Sequence, residues 1–219
     1  MNARERILEK LRGSLKGNVS GSYYHETNPM GVAPIFKEGM IERFINIMVS
    51  CHTQVERVTN RNWVERLNAV MDEKGVRSLL YAPDSSLGGE LQNHVSSRVK
   101  LVPFDRPVES WKSEFFNEID ASITTCLGGI AETGSLILAP SQAEPRSMSL
   151  VPSIHFVVLD EKKMFGTFSE AIAFHGWQKR MPTNLLLVSG PSKTADIRQT
   201  LAYGAHGPRE LVLYFVSSR

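Results

Sequence analysis

Apolar positions early in this chain follow a helical period, and later ones collect into short runs. Ile7, Leu8, Leu11 and Leu15 stand at helical spacing among Arg, Glu and Lys, which predicts a short amphipathic helix over Ala3–Leu15. Gly13, Gly17 and Gly21 loosen the chain, and Ser20–Pro34, carrying Tyr23, Tyr24 and His25, reads as a surface loop or as an arm against a site or a neighbouring subunit. A strong stripe follows at Phe36, Met40, Phe44 and Met48, with Ile41 and Ile45 beside it and Val55 and Val58 extending it. Such a stripe is core far more often than cofactor groove. Trp63, Leu67 and Val70 share one face of a second helix over Asn60–Glu73, which Gly75 ends.

The rhythm then changes. Short apolar strands at Ser78–Tyr81, Val99–Phe104, Ala121–Cys126, Leu136–Ala139, His155–Leu159, Leu185–Val188 and Leu211–Val216 alternate with helices at Leu87–Ser97, Val108–Ile119, Thr167–Trp177 and Ala195–Tyr203. Ser141–Ser149 is polar, carries Pro145 and Arg146, and reads as a surface loop. Alternation of this length implies βαβ crossovers. The expectation is an α/β three-layer sandwich with a mostly parallel sheet, one domain over residues 1–219 with residues 1–58 as its helical N-terminal segment.

Composition narrows the function classes. Hydrophobic content of 42% and charged content of 22% are ordinary for a globular protein, and a net charge of +2 gives no reason to expect nucleic acid. No apolar run approaches the ~20 residues needed to cross a bilayer. The start, Met1–Lys10, lacks an apolar signal core, so a cytoplasmic location without a membrane span is expected. Cys51 and Cys126 lie far apart and in no CxxC pairing, which excludes a cysteine-ligated iron–sulfur cluster or zinc site built by this chain alone. His25, His52, His94, His155 and His175 show no metal-ligand spacing, so no metal is expected.

Three polar turns next to strands carry the candidate chemistry. In Gly128-Gly129-Ile130-Ala131-Glu132-Thr133-Gly134-Ser135 a single carboxylate stands among glycines and small residues, as a base, a nucleophile or a backbone cap. In Ser189–Asp196 a strand empties into three hydroxyls, Lys193 and Asp196, a setting suited to an anion, although Ser192 and Leu187 stand where a P-loop requires glycine. The alternative there is a helix capped by Ser192 or Thr194, with Asp196 complementing its dipole. His206, between Gly204 and Gly207-Pro208, can titrate near neutrality as acid or base or can bond loop carbonyls. No G-x-G-x-x-G follows a strand, so no dinucleotide fingerprint is present.

Taken together, Gly129–Ser135, Ser189–Ile197 and Gly204–Pro208 resemble the signatures of the LUD-domain family, in its lactate-utilisation protein C branch, over essentially the whole chain. The resemblance implies a fold like that of the NagB/RpiA/CoA-transferase superfamily. It also implies a subunit of a three-protein bacterial system that oxidises L-lactate to pyruvate. The other two proteins there carry cysteine-rich iron–sulfur motifs, so iron–sulfur clusters are expected in the partner subunits and no cofactor in this chain alone. Glu132, Asp196 and His206 are then the candidate catalytic residues. Thr133, Gly134, Ser135, Ser189, Gly190, Ser192, Lys193, Thr194, Gly204 and Gly207 are the candidate contacts for a small anionic ligand such as lactate. Glu132, Thr133, Ser135, Ser192, Thr194, Asp196 and His206 are expected to line one pocket at the end of the sheet. The alternative implied by the fold relatives is a self-sufficient CoA-transferase-like or sugar-phosphate-binding enzyme that uses Glu132 in its Glu-x-Gly turn. A structural subunit without ligand is the third reading.

Overall fold

Strands that are apolar on both faces belong in the middle of a sheet, and the computed structural model places them there. It describes residues 4–9, 39–195 and 201–217. Contacts divide the chain into two units, Met1–Pro34 and Ile35–Arg219. In the first, residues 4–9 are helical; the remainder of the expected N-terminal helix and the Ser20–Pro34 loop lie outside the described residues.

The second unit carries helices α1 (Met40–Ser50), α2 (Trp63–Glu73), α3 (Gly88–His94), α4 (Lys112–Asn117), α5 (Arg146–Leu150) and α6 (Phe168–Phe174). Its main sheet holds β1 (Gln54–Thr59), β2 (Ser78–Tyr81), β3 (Lys100–Pro103), β4 (Ala121–Thr125), β7 (Ile154–Asp160) and β12 (Glu210–Ser217). Their order across the sheet is β1-β12-β7-β4-β2-β3, and every neighbouring pair is parallel. A second sheet, β8-β5-β6-β9, is built from β5 (Gly128–Ile130), β6 (Ser135–Leu138), β8 (Met164–Phe165) and β9 (Leu186–Val188). The strands β10 (Lys193–Ala195) and β11 (Leu201–Tyr203) pair antiparallel with each other.

Side-chain alternation sorts the main sheet into two faces. On one, Ile123, Phe156, Val212 and Tyr214 pack against Trp63, Leu67, Val70 and Met71 of α2 and Leu91 of α3. On the other, Val157, Leu159, Leu213 and Phe215 meet Phe44, Ile45 and Met48 of α1 and Leu136 and Leu138 of β6. Leu80 and Val102 on that face meet Trp111, Phe115 and Met148 instead. Between these two apolar groups runs a buried polar seam on β4 and β7. There the Ser122 hydroxyl donates to the Met148 carbonyl, and Thr124 Oγ1 lies 2.9 Å from His155 Nε2. The sandwich is therefore α/β with a parallel sheet, but one outer layer combines helices with a second sheet.

Several expectations are corrected. Val55 and Val58 do not prolong the α1 helix; residues 54–59 form the edge strand β1, with Val58 buried. Ser141–Ser149 is not all surface loop, because α5 buries Met148 and Ser149. Val108–Ile119 is broken into a 3-10 turn and the short α4. The Leu185–Val188 strand forms as β9 but is buried only in part: it joins the second sheet and Leu187 stays 48% exposed. Ala195–Tyr203 is not one helix: its described ends, Ala195 and Leu201–Tyr203, are strand. No helix among the described residues is long and apolar enough to cross a membrane.

Candidate functional site

The Glu132 turn joins β5 to β6, and its backbone is pinned from outside. The Ala131 and Glu132 N–H groups donate to the carbonyls of Phe165 and Gly166, at 2.8 and 2.9 Å. Gly134 has φ +59, and a Cβ there would fall 2.4 Å from Cγ2 of Ile47 on α1. Only glycine meets both demands, left-handed backbone and close approach. Arg43 Nη2 donates to the Glu132 carbonyl at 3.5 Å. Among the described residues the Glu132 carboxylate itself has no hydrogen-bond or ion-pair partner, and the side chain is half-buried.

Hydroxyls link this turn to the second. Thr133 Oγ1 lies 2.8 Å from Ser135 Oγ, which lies 2.7 Å from Ser189 Oγ. Ser135 is 4% exposed, so its hydroxyl depends on these two partners. Each hydroxyl has one proton, so a chain of three uses two in its internal bonds and leaves one O–H free to donate elsewhere. Gly190 follows, and a Cβ on it would fall 2.7 Å from the Cys51 carbonyl, so the second turn lies against the end of α1.

Ser192 ties the second turn to the third. Its N–H donates to Pro208, its carbonyl accepts from the Gly204 N–H, both at 2.9 Å, and its hydroxyl accepts from the His206 N–H at 3.3 Å. Ser192 thus holds the loop of Gly204 and Gly207 around His206, whose ring is exposed; it does not cap a helix. Lys193 and Thr194 lie on β10, Lys193 exposed and Thr194 half-buried. Asp196 lies outside the described residues.

The turns therefore meet in sequence through hydrogen bonds: Thr133, Ser135 and Ser189, then Ser192 and His206. No hydrogen bond among the described residues connects the Glu132 carboxylate to Ser192, Thr194 or His206. The second and third turns sit at the amino ends of the parallel strands. Gly190 abuts Cys51, just before β1, while Arg209 and Glu210 N–H groups donate to Ser153, just before β7. Arg43, Ile47 and Cys51 escaped the sequence reading, since nothing local in the α1 stripe reveals which turn will pack on its far end. Among the described residues no group of three or more His, Cys, Asp or Glu is placed to hold a metal ion.

Comparison with known proteins adds the following. The LUD domain family model matches residues 41–216. An uncharacterised protein of Neisseria meningitidis serogroup B is 38% identical over 220 residues, spanning 97% of this chain and 93% of its own. Lactate utilization protein C 1 of Bacillus mycoides is 27% identical over 179 residues, 76% of each chain. Lactate utilization protein C of Bacillus pumilus is 23% identical over 234 residues, 97% of this chain and 96% of its own. A crystal structure of a DUF162 family protein from Deinococcus radiodurans shares the fold with a TM-score of 0.62 at 20% identity, covering 84% of this chain and 99% of that one.

Proposed function

The chain belongs to the LUD-domain family, and from that membership we propose that it is a subunit of an L-lactate utilisation system, acting in the cytoplasm with iron–sulfur partner proteins that oxidise L-lactate to pyruvate. The observation that carries this reading is its similarity, over most of its length, to proteins called lactate utilization protein C. Oxidising a 2-hydroxy acid removes two electrons and two protons, and the electrons need an acceptor. The acceptor is assigned to the iron–sulfur partners that the family resemblance implies, in keeping with the two isolated cysteines of this chain, which do not make up a cluster's ligand set.

The role assigned to this chain is to hold the small anion and handle protons. The Thr133–Ser135–Ser189 chain has a spare O–H donor suited to a carboxylate. Glu132 and His206 stand on the turns beside it as the proposed acid–base groups, with Asp196 proposed as the third. Gly134 and Gly190 let the backbone close up, and Ser192, Lys193, Thr194, Gly204 and Gly207 complete the proposed binding surface.

The test is growth on L-lactate of a strain lacking this gene and any redundant lactate dehydrogenase, complemented with wild type or Glu132→Ala. Rescue by wild type alone, with the variant present at normal abundance, is the expected result. Normal growth of the deletion strain would remove the lactate assignment and bring the CoA-transferase-like reading forward, to be checked by trapping a glutamyl adduct with an acyl-CoA.

A further inference from the structure

The paired glycines that lead into the Glu132 turn answer to the strand β8 beside them. A Cβ on Gly128 would fall 2.5 Å from the Lys163 carbonyl oxygen and 2.6 Å from Cε2 of Phe165. One on Gly129 would fall 2.7 Å from Sδ of Met164. Two glycines in a row therefore let β8 approach β5 more closely than side chains permit. What this approach brings to the turn is backbone: the Phe165 and Gly166 carbonyls receive the Ala131 and Glu132 N–H groups.

β8 is only two residues long and lies at the border of the second sheet, so its short ladder with β5 does little to fix its register. A slip by one residue would offer Glu132 the wrong carbonyl. The anchor comes from α6. Oε2 of Glu170 accepts from the Gly166 N–H at 2.7 Å, while the Glu170 N–H donates to Thr167 Oγ1 at 3.2 Å and so starts the helix. This is a capping box in which the carboxylate reaches past the N-cap Thr167 to the residue before it. A Cβ on Gly166 would fall 3.1 Å from both Glu170 oxygens, so glycine lets the carboxylate come this near. Gly166 is buried, and Glu170 is the one acceptor of its N–H among the described residues.

Gly166 thus carries a bond on each side, with its N–H on Glu170 and its carbonyl on Glu132. Glu132 is engaged on both sides as well, since its own carbonyl accepts from Arg43. The direction in which the Glu132 side chain leaves the turn therefore follows from where Gly166 stands. Glu170 is exposed, so replacing it takes no apolar packing from the core.

We propose, building on the reading of Glu132 as an acid–base group, that Glu170 is a positioning residue for it. Acting through Gly166, Glu170 sets the place and direction of the Glu132 carboxylate. An error of about 1 Å in the placing of a reacting group costs roughly 100-fold in rate, so function registers a loosened Gly166 before the fold does.

The test compares Glu170→Ala with Glu170→Gln in the full chain, because Gln keeps a carbonyl oxygen for the Gly166 N–H and Ala keeps none. Amide hydrogen exchange read residue by residue should be roughly tenfold or more faster at Ala131 and Glu132 in Glu170→Ala, with Leu213 and Phe215 of β12 unchanged. Glu170→Gln should stay near wild type. In the deletion strain, at normal abundance, Glu170→Ala should fail to restore growth on L-lactate and Glu170→Gln should restore it. Unchanged exchange at Ala131 and Glu132, acceleration spread equally into β12, equal losses in both variants, or full rescue by Glu170→Ala would each overturn the assignment. Normal growth of the deletion strain itself would remove the lactate reading instead, and the exchange rates would still decide whether Glu170 holds the turn.

Discussion

His155 makes the stability of this protein sensitive to mild acid. It is 1% exposed on β7, with Thr124 as the hydrogen-bond partner of Nε2 and none for Nδ1 among the described residues. Burial pushes its pKa down from 6.5 to about 3. In the unfolded chain the imidazole gains its proton as pH falls through 6.5, whereas the folded protein keeps it neutral until about pH 3. The contribution is therefore intact above pH 6.5 and shrinks as pH drops through that window, with a limiting slope of about 1.4 kcal/mol per unit. Between about pH 7.5 and pH 5 the loss from this one group comes to about 2 kcal/mol. Urea unfolding of wild type and His155→Gln at both pH values measures it, because Gln can keep a bond to Thr124 but does not titrate. The wild type should lose about 2 kcal/mol more than the variant over this range. Parallel pH profiles for the two proteins would refute the buried neutral imidazole.

Other outcomes follow from the same structure. Gly134→Ala combines a left-handed backbone with a clash on Ile47 and should cost about 3 kcal/mol, read as a lower Tm; an unchanged Tm would contradict the packing of the turn on α1. Glu144→Ala removes both acceptors of Thr125 and should cost about 2 kcal/mol in denaturant titration. Burial raises the Cys126 thiol to about 12, and Cys51 is exposed, so a disulfide reagent should label one cysteine in the native protein and both in urea. Rapid labelling of both thiols in the native protein would contradict the closed core.

What could be read from the sequence depended on whether burial was two-sided. Ser78–Tyr81 and Leu211–Val216 announce themselves because central parallel strands are apolar on both faces. The α1 stripe was equally plain, since Phe44, Ile45 and Met48 face one core. Edge strand β1, Gln-Val-Glu-Arg-Val-Thr, mixes charges with its valines, as exposed edges do, and so passed for a helix extension. The second sheet was hidden because Gly128–Ile130 and Met164–Phe165 are too short for any period, and their pairing is settled only by distant partners. The three turns were visible as clusters of glycine and hydroxyls. Their joining through Ser135–Ser189 and Ser192–His206 depends on contacts between distant segments, which no local pattern encodes.

The polar seam of Ser122, Thr124 and His155 has a consequence for how the protein tolerates change. It divides one face of the main sheet into two hydrophobic groups, one beneath α1 and β6, the other beneath α4 and α5. Truncations on opposite sides, such as Leu138→Ala and Phe115→Ala, should each cost several kcal/mol, about 2–5, yet add to within about 0.5 kcal/mol. The face behaves as two modules rather than one. Substitutions can accumulate around Phe115 while the packing that supports the three turns stays as it is.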